Sequence, residues 1–195
     1  ALALSGATVY VADGNRQLLA IDVSTPSSPA LVTNLLLSAV GQALALTGTT
    51  LHVAAGQSGL LTVDVAAWAE VGAAPTTGEA ADLAIAGSRL ILADGFAGFQ
   101  VYDIAAPAAP VLTGEYAHSV RASDVVVANS LAYVGAGEAG LRIYAVTNPA
   151  SPVLLGTFTQ AANARCVAVS GTVAYVGDGQ YGLKTVNVAD PSAPA

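Results

Sequence analysis

The densest run of reactive side chains lies between Glu115 and Asp124, in the segment EYAHSVRASD. It holds Glu115, His118, Ser119, Arg121 and Asp124. A histidine with a pKa of about 6.5 can move protons near neutral pH, and an arginine beside it can clamp an anion through its planar fork. In that reading His118 is a general base and Arg121 holds an acidic group. The plain reading is a solvated loop whose Arg121 and Asp124 pair with each other or with neighbouring loops. A single histidine without a nucleophile or an orienting partner does not make a catalytic constellation. The segment therefore points to ligand binding rather than turnover, and no catalytic residue is assigned.

The remaining candidates are sparser. His52 stands in an alternating apolar run, TLHVAAG, with no second His or Cys nearby, so it reads as a packing residue and not a zinc ligand. Cys166 is the sole cysteine, which rules out an internal disulfide. No histidine accompanies it in its own segment, so it reads as a small buried side chain. Asp13, Asp94 and Asp178 each precede a glycine. Such turns could offer oxygens to calcium, but each supplies a single carboxylate, and calcium takes about six to eight oxygens. They read as aspartates bonding the amides of their own turns. Phosphate-loop, dinucleotide-binding and nucleophile-elbow patterns are absent. No metal or cofactor is expected.

These residues sit on a repeat. Five apolar runs close on turns at Gly6, Gly48, Gly87, Asn129 and Gly171, spaced by 42, 39, 42 and 42 residues. Each is followed by a second alternating run: TVYVADG, TLHVAAG, RLILADG, LAYVGAG and VAYVGDG. A third begins at Gln17, Gly59, Gly98, Gly140 and Gly182. Period-two alternation rich in Val, Ile and Tyr is the mark of half-buried strands. A Pro-rich connector then leads into a fourth strand, such as VLTGEY at 111–116 or VLLGTF at 153–158. Proline donates no ladder hydrogen bond, so it belongs at loops and sheet edges. Four short strands per repeat of about 40 residues make one blade of a β-propeller.

The fold expected is all-β, a propeller of about five four-stranded blades in one domain over 1–195, with blades near 1–43, 44–82, 83–124, 125–166 and 167–195. The second repeat lacks the Pro pair and is shortened, and Trp68 is expected to plug the trimmed outer edge. The fifth repeat stops at Pro194–Ala195, where its outer strand should begin. Five blades could form a ring with one three-stranded blade, a partner chain could donate that strand, or the blades could belong to a larger propeller; the favoured arrangement is a ring or partial ring inside a larger parent protein. In a propeller the turn between second and third strands and the link between blades share one face. That face gathers the expected ligand-binding set: Gln42, Asp82, His118, Arg121, Asp124 and Arg165.

Strands ending in ADG, then G-L-x-x-x-D-V and a D/N-P-x-x-P-V-L connector, resemble the LVIVD-repeat family of β-propellers. The residues carrying the resemblance are Asp13–Gly14, Asp94–Gly95 and Asp178–Gly179, the motif aspartates Asp22, Asp64 and Asp103, and the connector pairs Asn148–Pro149 and Asp190–Pro191. Ala145 and Asn187 replace the motif aspartate, and Ala55 and Ala136 replace the turn aspartate. The resemblance implies a surface or secreted propeller without an assigned reaction.

Composition narrows the classes further. The chain is 54% hydrophobic and only 10% charged, yet turn residues interrupt every apolar stretch, so no membrane-spanning helix is expected. Net charge is −7 with six Lys and Arg, which leaves no basic patch to neutralise nucleic-acid phosphates. An Ala- and Gly-rich, Lys-poor, nearly Cys-free bacterial protein exported to the cell surface fits this balance. The function expected is a non-enzymatic interaction or scaffolding module with a protein partner or parent-protein neighbour. The alternative is a small-ligand or glycan-binding propeller that uses the channel mouth.

Overall fold

The computed structural model describes residues 1–117 and 120–195. His118 and Ser119 lie outside the described residues. The remainder forms five antiparallel sheets, each strand pairing with its sequence neighbour. Blade 1 is β1 (Leu2–Ser5), β2 (Thr8–Ala12), β3 (Gln17–Asp22) and β4 (Ala30–Leu36). Blade 2 is β5 (Ala43–Thr47), β6 (Thr50–Ala54), β7 (Leu60–Asp64) and β8 (Ala69–Ala74). Blade 3 holds β9 (Asp82–Ala86), β10 (Arg89–Ala93), β11 (Phe99–Asp103) and β12 (Val111–Tyr116). Blade 4 holds β13 (Asp124–Ala128), β14 (Leu131–Gly135), β15 (Leu141–Ala145) and β16 (Val153–Phe158). Blade 5 has three strands: β17 (Cys166–Ser170), β18 (Val173–Gly177) and β19 (Leu183–Asn187). A single 3-10 turn, Gly179–Tyr181, joins the last two.

Local chemistry sets these hairpins. The turn between first and second strands is two residues long, with positive φ at Gly6, Gly48, Gly87 and Gly171 and at both Asn129 and Ser130. Such turns match the right-handed twist of the flanking strands. At the end of the third strand in blades 1, 2, 3 and 5 a side-chain oxygen holds the connector, whereas Ala145 in blade 4 has none. Asp22 accepts from the Ser24 amide at 2.7 Å, Asp64 from Ala66 at 2.8 Å, Asp103 from Ala105 at 2.9 Å and Asn187 from Ala189 at 3.0 Å. Every outer strand then carries a bulge, placing Val32, Val71, Thr113 and Leu155 out of register. After the bulge come Thr33, Gly72, Gly114 and Gly156. The three glycines leave room for the next blade's connector. A Cβ at Gly72 would lie 2.3 Å from the Ala108 carbonyl oxygen, and one at Gly156 would lie 2.4 Å from that of Pro191.

The innermost strands touch in succession, β1 on β5, β5 on β9, β9 on β13 and β13 on β17. The core is divided to match, one apolar cluster per blade boundary. Leu18 and Leu37 meet Leu51, Val53, Leu61 and Val63 between blades 1 and 2. Leu60 meets Leu83, Leu90 and Leu92 at the second boundary. Phe99 and Val101 meet Val125, Val134 and Tyr144 at the third. Leu141 and Ile143 meet Val167, Val176 and Val186 at the fourth. Each large side chain so buried stabilises the fold by about 1.5–3 kcal/mol. Trp68 reaches into the first boundary, its ring centroid 6.3 Å from that of Tyr10, as a packing residue.

The arc does not close. The middle strands of inner blades are buried on both faces, whereas β2, β3, β18 and β19 keep one face open. Leu2 and Leu4 of β1 are exposed on one end sheet, and Tyr175 and Leu183 on the other. Cys166 shares this fate: expected to be buried, it is exposed, because no further sheet covers that side of β17. Ala195 exchanges hydrogen bonds of 2.6 and 3.1 Å with Asn187, starting the fourth-strand position of blade 5. No helix among the described residues is long and apolar enough to cross a membrane.

Candidate functional site

The turn between second and third strands meets the link to the next blade through paired backbone bonds. Gly56 and Ala80 exchange hydrogen bonds of 3.0 and 2.9 Å, and Gly137 and Ala164 do the same. The Ala122 amide donates to the Gly95 carbonyl at 2.9 Å, the same bridge in blade 3. Turn and link therefore lie on one face, as the repeat pattern requires. The clamp also fixes what the flanking residues present: Glu79, Arg121 and Asn163 just before it, and Ala81, Ser123 and Arg165 just after.

Turn aspartates reinforce the clamp. Asp94 accepts from the Gly78 amide at 2.9 Å and Asp178 from Asn163 at 2.7 Å, both across to the incoming link. Only Asp13 bonds its own turn, accepting from Asn15 at 2.8 Å and Gln17 at 3.0 Å. The expectation of own-turn bonding thus fails for Asp94 and Asp178. Their blades have an incoming link whose amides need acceptors, while blade 1 has no sheet before it in the structure. Burial pushes the Asp94 carboxyl upward, partly offset by bonds from Thr76, Gly78 and Thr77.

On this face the loops of blades 3, 4 and 5 enclose a cleft of about 530 Å³. Phe96, Arg121, Ser123, Glu138, Asn163 and Arg165 line it. The Arg121 guanidinium pairs with Glu79 at 3.2 Å, both side chains about half exposed. Arg165 makes only a 3.4 Å contact from Nε to Asn163 Oδ1. Arg16 and Arg89, by contrast, are tied to backbone carbonyls, Arg16 to Leu37 at 2.9 Å and Arg89 to Val146 and Thr147 at 3.1 Å. Arg165 is thus a cation with no carboxylate partner among the described residues. Phe96 is 73% exposed.

Of the expected ligand-binding set, the structure brings Arg121 and Arg165 together here. Asp82 and Asp124 do other work. Each opens an innermost strand and reaches across to the next: Asp82 accepts from the Val125 amide at 2.8 Å, and Asp124 from the Val167 amide. Desolvation, then the hydrogen bond and like charge of Asp124, push the Asp82 carboxyl up to about 8. By bonding the backbone of the next blade, both carboxyls act as struts between blades rather than ligand contacts. Gln42 lies in the link to blade 2, its amide bonded to Ala54 at 2.7 Å, and it does not line the cleft. His118 falls outside the described residues. Sequence reasoning missed Phe96, although a signal existed: the matching turn positions hold Asn15, Gln57, Glu138 and Gln180. Among the described residues, no three His, Cys, Asp or Glu converge as cation ligands.

The LVIVD repeat matches residues 1–36, 77–118, 121–160 and 161–195, leaving out the trimmed second blade. The chain belongs to the LVIVD-repeat family. No curated protein matches it. Solved structures share the fold at low identity. The computationally designed protein Ika8 is 11% identical, with a TM-score of 0.79 over 98% of this chain and 58% of its own. A functionally unknown protein from Desulfotomaculum acetoxidans DSM 771 is 16% identical, with a TM-score of 0.82 over 100% and 67%. A chain of the mitotic checkpoint complex is 15% identical, with a TM-score of 0.84 over 100% and 62%. This LVIVD chain thus spans from 58% to 67% of the length of these three. Such similarity speaks for architecture alone, since one fold hosts many functions.

Proposed function

We propose that this LVIVD-repeat arc is a non-enzymatic interaction or scaffolding module of an exported, cell-surface protein. One observation carries the reading: both end sheets leave a face uncovered, apolar across β1 to β3 and mixed across β17 to β19, where Cys166, Tyr175 and Leu183 stand beside Ser170, Thr185 and Asn187. Leu2, Leu4, Val9, Val11, Leu19 and Ile21 share the open face of blade 1, by register and alternation. Leu4 is 67% exposed there, as is Leu183 on the opposite end sheet. Contiguous apolar surface of this kind marks a site of protein contact. β19 adds an edge to which a partner's strand could pair. Light scattering over a concentration series tests this. The wild-type chain should associate with itself, and the Leu4→Asp, Tyr175→Asp double variant should stay monomeric with its fold intact. A wild-type chain that remains monomeric at every concentration and binds no hydrophobic dye refutes the reading.

The cleft favours a second reading, a small-ligand or glycan-binding propeller. Its volume lies within the range of about 300–1,000 Å³ typical of ligand pockets. It also sits on loops that the Gly–Ala clamps hold rigid.

A further inference from the structure

We infer that the cleft over blades 3 to 5 is a subsite for an acidic saccharide, whose ring lies against Phe96 and whose carboxylate pairs with Arg165; this rests on the ligand-binding reading above. Phe96 is the first argument. It occupies a turn tip that is polar in the four sister blades, and it is 73% exposed. An aromatic ring left largely exposed at a cleft rim offers a flat apolar face. A pyranose presents such a face on its C–H side.

The charge pattern is the second argument. The chain is strongly acidic, yet two of its five arginines line this one cleft. Arg121 is neutralised by Glu79, which leaves the Arg165 fork to receive one carboxylate. Glu138 and Glu79 nearby would repel the concentrated double charge of a phosphate monoester, so the fit is to carboxylates carried no more than one per sugar ring.

Third, Ser123, Glu138 and Asn163 mix donors and acceptors along the lining. An aliphatic acid would bury these groups without partners, at a cost of about 1–3 kcal/mol each. Hydroxyls around a sugar ring satisfy both kinds.

The test is calorimetric titration of the whole chain at low salt with three probes: an oligogalacturonate, its methyl ester, and a poly-glutamate peptide of similar length. The oligogalacturonate should bind, with the ester at least tenfold weaker. Arg165→Gln should weaken oligogalacturonate binding by about tenfold and Phe96→Ala by about fivefold, while Lys184→Gln leaves it unchanged. Arg165 and Phe96 are both exposed, so thermal melts should show both variants folded. Equal binding of the ester, or peptide binding indifferent to Phe96→Ala, overturns the acidic-saccharide assignment while leaving a ligand cleft. No heat with any probe overturns the ligand-binding reading as well.

Discussion

His52 lies fully buried on β6, and neither ring nitrogen has a hydrogen-bond partner among the described residues. Burial lowers its pKa from 6.5 to about 4, so the folded chain keeps the ring neutral. A base with a depressed folded pKa contributes stability above its unfolded value, and that stability is lost as pH falls from about 6.5 towards about 4. His52→Leu should therefore raise the urea midpoint by the equivalent of about 1 kcal/mol at pH 7, and by more at pH 4.5. Asp82 works in the other direction. Its carboxyl is raised to about 8, so its contribution is complete below about 4 and is lost as pH climbs towards about 8. A tenfold change in proton affinity is worth about 1.4 kcal/mol, so the effect is measurable. Asp82→Asn keeps a carbonyl oxygen for the Val125 amide and gives Asp124 a permanent donor. Its denaturation midpoint should be flatter between pH 5 and 8 than the wild type's; an unchanged slope would show that the shared proton does not exist. Neither behaviour was legible in the sequence. His52 reads correctly as a packing residue, but the partnership of Asp82 with Asp124 depends on how closely two innermost strands approach, and no spacing reports that.

At the scale of the strand, the bulge of each outer strand explains a residue choice that the repeat alone leaves open. Gly72, Gly114 and Gly156 each lie beneath a connector built on a proline pair, and Thr33 stands at the same register in blade 1. The connector that follows Thr33 is the trimmed one of blade 2, with no proline, so a side chain is tolerated. A Cβ at Gly114 would meet the Pro149 backbone at far less than contact distance. Gly114→Ala should cost about 1–3 kcal/mol through overpacking, whereas Thr33→Gly should cost well under that; thermal melts of the two variants decide the matter. Most strands were legible, because alternation and turn residues agree in five copies. The direction of the turn aspartates was not. Asp13, Asp94 and Asp178 look identical along the chain, and only the presence of an incoming link makes the last two reach outward.

For the whole molecule, the repeat count foretold five sheets and the incomplete fifth, and the division of the core between neighbours followed from it. The candidate site was half legible. Arg121 and Arg165 emerged from their place in the links, and Phe96 came only from the cleft they share with it. Exposure at the ends was the hidden part: Tyr175 is spelled like its buried counterpart Tyr133, and the environment of both Tyr175 and Cys166 is set by whether a neighbouring sheet covers them. The four apolar clusters have a dynamic consequence. Every inner sheet is anchored from two sides and each end sheet from one, so opening should begin at the extremities and travel inwards, as in a zipper undone from its tabs. Amide hydrogen exchange should register this as a gradient, with β10, β11 and β14 protected longest and β1, β18 and β19 exchanging first. Uniform protection from β1 to β19 would mean that the chain melts as one block.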